Sequence, residues 1–447
     1  MNGRDAIRDE SRRGLDRRKL LKMAMLAGTL PAMATRAAAE EPKVRTQARI
    51  VVAGAGAAGL AAASRLARRL DGASIILIDR RREHFYQPGF TLVGAGLKSP
   101  SYVISATKDY VPSGVTLIEE QVREFDPVGN KVVTESGRAV PYDYLIVATG
   151  LELAYAAIAG MDTALIGRDG IGSVYLSPEG AEATYRELSR FTDKGGVGLF
   201  GRPATEMKCA GAPLKYTFIT DDILRRRGNR GKAELIYAAH NKVLFSVPIV
   251  AEKVRMLYAD RGVKTVQDHV MTAIEPGKKI ASFRTPTGTA EIKYDFINVV
   301  PPMRAPAAVR NSPLPWQSGP WAADGWIEVD RSNLRHTRFP NVFALGDVAG
   351  VPKGKTAASV KWQVPVAVDH LVAAIAGGRS QAAYNGYTSC PLITRIGRAM
   401  LVEFDYNDNL VPSFPGIIAP LEELWVTWIM KEVALKPTYT AMLRGLA

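Results

Sequence analysis

Cysteine is nearly absent from this chain. Only Cys209 and Cys390 occur in 447 residues. That excludes a disulfide-rich scaffold and a four-cysteine zinc or iron–sulfur site. No Cys-x-x-Cys-His occurs, so the chain attaches no c-type haem itself. The five histidines (His84, His240, His269, His336, His370) are scattered without metal-ligand spacing, and no metal site is expected. No uncharged apolar run approaches the roughly 20 residues that span a bilayer. Membrane contact, if any, is therefore peripheral. Basic clusters interleaved with aromatics are also missing, which argues against a nucleic-acid partner despite a net charge of +14. Nine Lys/Arg against four Asp/Glu in residues 1–39 supply part of that charge. The remaining excess suits small anions or anionic headgroups, or only solubility.

Apolar residues make up 47% and charged residues 23%, enough for a large core split into two or three domains. The N-terminus reads as a targeting segment. Asp16-Arg17-Arg18-Lys19-Leu20-Leu21-Lys22 is followed by an apolar stretch, 23–35, and then by Ala37-Ala38-Ala39. That order predicts a twin-arginine signal over 1–39 and a periplasmic protein exported folded. A basic, unstructured tail is the plainer alternative. An oxidising compartment would let the two thiols pair.

Residues 49–53 form a β-rich run feeding Gly54-Ala55-Gly56-Ala57-Ala58-Gly59, and 57–70 reads as a helix. The strand at 74–79 ends in Asp79, twenty residues past Gly59. In such a β-turn-α-β unit Gly54 makes the tight turn, and Gly56 lets backbone approach a pyrophosphate. Gly59 permits close helix–strand packing, and the acid meets a ribose. The run 143–148 enters Thr149-Gly150, and 342–345 enters Gly346-Asp347. These three features in order resemble the FAD contacts of the pyridine-nucleotide-disulfide reductase superfamily, in which the late acid, here Asp347, holds the ribitol chain. The fold class is α/β, with two Rossmann-like domains and a C-terminal amphipathic helical segment. The predicted FAD-binding domain is discontinuous, 45–150 and 300–378. A second domain, 151–299, carries Cys209, and 379–447 carries Cys390.

A second glycine fingerprint is missing. After the run near residue 199 stands Phe200-Gly201-Arg202-Pro203-Ala204-Thr205-Glu206-Met207-Lys208-Cys209. Pro203 and bulky neighbours replace a nicotinamide cradle, so NAD(P)H is not the expected electron donor. From the residues alone, the cysteines read equally as a structural disulfide or a redox pair.

Longer motifs decide between these. Lys208-Cys209-Ala210-Gly211-Ala212-Pro213 and Thr388-Ser389-Cys390-Pro391-Leu392 resemble sulfide:quinone oxidoreductases, in the branch that includes mitochondrial forms. So do Phe85-Tyr86-Gln87-Pro88, residues 91–96, Val300-Pro301-Pro302-Met303, Lys355-Thr356-Ala357-Ala358 and Glu403-Phe404-Asp405-Tyr406. The resemblance covers most of residues 47–445. It implies that Ala57, Ala58, Asp79, Gln87, Val122, Asp347 and Lys355 contact FAD, and that Cys209 and Cys390 handle sulfur. Sulfide would attack the bridged pair, with Cys390 the favoured target, leaving a persulfide. The departing thiolate would pass two electrons through FAD to a quinone. A thiol or a second sulfide would accept the sulfur. Lys208 and Lys215 are the candidate cations beside the thiolate. With no third cysteine, FAD is expected to be non-covalent. The export signal leaves one alternative open: the flavin subunit of a flavocytochrome c-type sulfide dehydrogenase, with a cytochrome as acceptor.

Near the C-terminus Leu421, Leu424, Trp425, Trp428 and Ile429 fall on one helical stripe, with Glu422, Glu423 and Lys431 off it. Tyr439, Met442, Leu443 and Leu446 repeat the spacing. This predicts a face for a bilayer surface, for the protein's own body, or for a second copy in a homo-oligomer.

Overall fold

The computed structural model describes residues 43–447; the expected signal segment, 1–39, lies outside the described residues. Four strands built from nearly continuous apolar runs, Arg49–Ala53 (β1), Ser74–Ile78 (β2), Val115–Ile118 (β3) and Tyr144–Val147 (β4), lie side by side. A fifth strand, Val342–Ala344, comes from far along the chain and pairs with β4. All pairs are parallel, in the order Val342–Ala344, β4, β1, β2, β3. Parallel strands are covered on both faces, which is why Val51, Val52, Leu145 and Ile146 are fully buried. The helix α1, Ala57–Arg69, covers one face through Leu60, Ala61, Ala62 and Leu66.

A second parallel sheet repeats the plan. It comprises Ile171–Gly172 (β5), Gly196–Gly201 (β6), Ala233–Ala238 (β7), Val263–Val266 (β8) and Phe296–Asn298 (β9). Its order is β5, β9, β6, β7, β8, so β6 is central, as β1 is in the first sheet. The helix α2, Pro178–Lys194, packs on β5, and α3, Ala212–Arg226, follows β6. Val342–Ala344 is designated β10.

The helix α4, Ala357–Ile375, packs against α1. An antiparallel pair follows, Thr388–Arg395 (β11) and Arg398–Phe404 (β12), and β11 packs on α3. The last helical stretch runs from α5, Trp425–Ile429, through a π-helical turn, Met430–Ala434, to α6, Leu435–Leu443.

This stretch corrects the C-terminal expectation. The helix begins at Trp425, and Leu424 instead bridges to Ala399, so the five-residue stripe is not one helical face. Leu421 and Trp428 pack on the core of the second sheet. Tyr439, Met442 and Leu443 are buried against the first core, where α6 meets α1. For Tyr439, Met442 and Leu443 the periodicity signals burial in the protein's own body, whereas Trp425 (41%) and Leu446 (60%) of the predicted face stay exposed, as do Ile417 (72%), Val433 (64%), Phe414, Val426 and, on α4, Trp362. Among the described residues no helix is long and apolar enough to cross a membrane.

Candidate active site

The turn after β1 is dictated by sterics. Gly54 has φ +106°, and a Cβ there would strike the Ala148 carbonyl of β4's turn. A Cβ at Gly59 would strike the Gly54 carbonyl, so only glycine lets α1 start this close to β1. Gly56 differs: a Cβ there would meet nothing nearer than the Arg81 guanidinium at 3.7 Å. Its backbone faces a cavity of about 590 Å³ at the N-terminus of α1. Ala57, Ala58, Gln87, Thr149, Gly150, Gly346, Asp347 and Lys355 line that cavity.

Gly54, Gly59, Asp79 and Val122 do not line it. The two glycines sit behind the wall they shape. Asp79 Oδ2 accepts from the Ala55 amide at 2.7 Å and Oδ1 from the Arg81 amide at 2.8 Å, and the carboxylate pairs with the Arg81 guanidinium. Burial works against its ionisation, but Arg81's hydrogen bond and charge and the two amides outweigh it and hold the carboxyl below its usual range. Arg81, which sequence reasoning passed over, stands at the cavity in its place. Val122 is buried in a strand of a separate three-stranded sheet, opposite Thr134.

The cavity continues to the sulfur pair. Cys209 lies in the loop between β6 and α3, at the end of the central strand, with a left-handed φ of +78°. Its carbonyl accepts from the Ala212 amide at 2.7 Å and from the Tyr175 hydroxyl at 3.4 Å, which fixes this unusual backbone. Cys390 is buried on β11. Both thiols line the same cavity and are not bridged. Gly211 makes their approach feasible, because a Cβ there would strike the Cys390 sulfur.

The pair shares one proton. A hydrogen bond from the Cys390 thiol, opposed by burial and helped by the Lys215 ammonium, holds Cys209 down at about 5. The same hydrogen bond and burial push Cys390 upward. Lys215 Nζ stands 3.7 Å from Cys209 Sγ and also faces Cys390, so its ammonium favours a thiolate at the pair while the Cys390 hydrogen bond places it on Cys209. Lys208, the other expected cation, points away: its Nζ donates to Gln87 Oε1 at 2.7 Å and lies over the Tyr175 ring. The two lysines of the sequence expectation thus have separate tasks.

Asp347 and Lys355 close the far side. Burial raises the Asp347 carboxyl, against the opposing charges of Lys208 and Lys355. Lys355 Nζ donates to the Asp347 carbonyl at 2.6 Å and the Ala349 carbonyl at 3.1 Å, and stacks 3.7 Å over Trp326. Glu403, also at the cavity, accepts from Tyr387 and from the Ser413 hydroxyl and amide, fixing the 411–413 loop. His84, buried, shares a 2.7 Å hydrogen bond with Tyr439 and so ties α6 to the cavity wall. Burial, then the charge of Arg81, lowers its imidazole to about 4, so it is neutral at pH 7. No group of three or more His, Cys, Asp or Glu is placed to hold a metal among the described residues.

The glycine turn, the buried Asp347 and the two thiols at one cavity fit a class, the flavin-dependent oxidoreductases of two nucleotide-binding folds. Residues 48–179 match the family model described as pyridine nucleotide-disulphide oxidoreductase. Two solved structures share the fold across most of the chain. One is a chain of the Tetrahymena thermophila mitochondrial ATP synthase (TM-score 0.78, 19% identity, 91% of this chain and 97% of that one). The other is the sulfide:quinone oxidoreductase of Aquifex aeolicus (TM-score 0.72, 20% identity, 90% and 92%).

Sequence narrows the class. The mitochondrial sulfide:quinone oxidoreductase of Dictyostelium discoideum is 35% identical over 408 residues, 91% of this chain and 88% of that protein. The chain belongs to the sulfide:quinone oxidoreductase family, whose cofactor is FAD. The residues present fit that cofactor. Gly56 leaves the backbone open for a pyrophosphate, the buried Thr149 hydroxyl at the cavity wall lacks a protein partner, and the cavity volume is in the range of cofactor sites.

Proposed function

We propose that this protein oxidises sulfide at the Cys209–Cys390 pair and delivers the two electrons through non-covalently bound FAD to a quinone. One observation carries the reading: both cysteines line the cavity that the glycine turn opens, with the Lys215 ammonium beside the pair, 3.7 Å from Cys209 Sγ.

The chemistry follows from the asymmetry of the pair. In the bridged form, hydrosulfide attacks Cys390 Sγ, forming a Cys390 persulfide and breaking the Cys209–Cys390 bond. The thiol of lower pKa leaves more readily, and Lys215 neutralises the thiolate that forms on Cys209. Transfer of the outer sulfur to a thiol or a second hydrosulfide leaves a Cys390 thiolate. Re-forming the Cys209–Cys390 bond releases two electrons. Bound FAD would supply the two-electron acceptor between the pair and the quinone. Gly56 with α1's first amides would hold its pyrophosphate, and Asp347 its ribitol chain. Lys355 and the Lys208–Gln87 pair would line the ring's pocket.

An apolar route for the quinone is supported by continuity. Trp362 and Phe414 both line the cavity and reach the surface, beside Met430 and Leu435 in the wall. With Ile417, Trp425, Val426 and Val433 they would form a peripheral membrane face. Export by the twin-arginine route to the periplasm rests on Arg17-Arg18 and the following apolar and small-residue runs.

Purified, FAD-loaded protein is expected to bleach under anaerobic sulfide and to reduce a soluble quinone with sulfide as donor. Electron delivery to cytochrome c in place of quinone would replace this reading with the flavocytochrome-type one. Recovery in the cytoplasm, with residues 1–39 retained, would overturn the export proposal.

A further inference from the structure

Glu403 is a buried carboxylate that the sulfide step does not use. It sits on β12, is 3% exposed and lines the cavity. Its Oε1 accepts from two hydroxyls, those of Tyr387 and Ser413, the latter at 2.6 Å, and the two hydroxyl oxygens are themselves 3.2 Å apart. Its Oε2 accepts from the Ser413 amide at 2.8 Å. Ser413 is exposed, whereas Tyr387 reaches the cavity wall beside Trp362, with ring centroids 5.3 Å apart. Hydroxyl, carboxylate and phenol thus make an unbroken hydrogen-bonded chain from solvent to the cavity. It arrives at the mouth where Trp362 and Phe414 lead in from the surface. Burial, then the Glu403 hydrogen bond, push the Tyr387 hydroxyl well above the ordinary tyrosine range, so it carries its proton at pH 7.

The electron and proton count gives such a chain a task. Hydrosulfide gives up two electrons and one proton as its sulfur is oxidised, and a quinone takes two electrons and two protons. Hydrosulfide, quinone and one further proton therefore yield one zero-valent sulfur and one quinol. Each turnover draws that proton from solvent, and the aromatic walls of the mouth have no acid to supply it. A hydroxyl that keeps its proton at neutral pH, backed by a carboxylate with a path to solvent, is suited to the transfer. A carboxylate that only anchored the 411–413 loop would need the Ser413 amide and hydroxyl alone. The Tyr387 contact extends it to the reaction cavity.

We propose that Tyr387, Glu403 and Ser413 form the proton relay to the quinone. As the quinol O–H bond forms, the Tyr387 O–H bond breaks. The phenolate takes a proton from Glu403, and Ser413 refills Glu403 from solvent. This rests on the quinone-reducing reading above and names the groups that supply its proton.

The test is anaerobic rapid mixing of the FAD-loaded full chain, reduced beforehand with dithionite, with either a soluble quinone or ferricyanide, which takes electrons without protons. In Tyr387→Phe, re-oxidation by the quinone slows about a hundredfold, the worth of a positioned acid. Glu403→Gln slows it by about tenfold or more, and added imidazole buffer restores much of the loss. Ferricyanide re-oxidises both variants at the wild-type rate, and sulfide bleaches both as it does the wild type. Quinone binding, read from quenching of tryptophan fluorescence, is unchanged. A wild-type quinone rate in either variant overturns the proposal, as does a slowing that ferricyanide shares, which marks a purely structural role. If neither variant retains flavin, the wild type decides. Its re-oxidation by quinone is expected to slow in deuterium oxide while that by ferricyanide does not, and equal quinone rates in the two solvents refute the relay. A wild type whose reduced flavin no quinone re-oxidises condemns the quinone-reducing reading instead.

Discussion

The turns after β1 and after β6 occupy the same place in two similar sheets and have opposite characters. Both leave a central parallel strand toward a helix, the position where α/β folds bind ligands. The first is three residues long, 54–56, and its chemistry lies in what it lacks: side chains that would fill the space of a phosphate. The second is ten residues long, 202–211, and presents a thiol on a strained backbone. One plan thus yields a cofactor cradle where glycine clears the backbone and a reactive group where a longer loop brings in sulfur. Arg202-Pro203 stand in the second turn where the first has glycines.

The comparison breaks most sharply at the sulfur. Cys209→Ser and Cys390→Ser are each expected to slow sulfide-dependent bleaching by about a thousandfold or more while FAD stays bound, since members of a catalytic unit fail singly. Anaerobic absorbance spectra check this, and unchanged bleaching removes the pair from the mechanism. At the other turn, Gly59→Ala forces a methyl into the Gly54 carbonyl and costs about 1–3 kcal/mol. Its signature is reduced flavin content and a lowered melting temperature, with the cysteines of the remaining folded protein still alkylated normally. Wild-type flavin content would show that the two strands do not need this approach.

The mildest change sharpens the second turn. Lys215→Met removes the cation beside Cys209, whose thiol is otherwise held down at about 5. Cys209 is a depressed acid, so its thiolate is present above that pKa and lost as pH falls through it. Without Lys215 the iodoacetamide-alkylation midpoint of reduced protein should rise by roughly 1–2 pH units. A midpoint that stays put would leave the Cys390 proton as the sole cause of the shift.

Sequence legibility followed the same division. The glycine turn could be read because its spacing is local: the structure gives Gly59 a steric demand at the nearby Gly54 carbonyl, whereas Gly54 answers to Ala148 across the sheet and Gly56 meets no clash. Cys209 and Cys390 were legible through their flanking motifs, although nothing local says that α3 and β11 bring them to one cavity. Lys208 and Lys215 looked interchangeable in sequence, and only the partner Gln87 separates them. Lys431 lines the cavity although helical periodicity put it off the apolar stripe, because a π turn does not keep that period. What covers the stripe was not legible, because amphipathicity tells how many apolar faces a segment has, not what covers them. Tyr439 and Met442 are covered by the first nucleotide-binding helix and its neighbours.

That last contact has a consequence for biosynthesis. Ser64 Oγ donates to the Leu443 carbonyl at 2.8 Å, Arg65 to the Ala447 carbonyl, and His84 bonds Tyr439 across 355 positions. While a ribosome is still translating residues 435–443, the wall around the cradle is unfinished. Tight prosthetic-group loading therefore waits for residues 435–443 to emerge, and nascent fragments that stop short of them are expected to stay colourless.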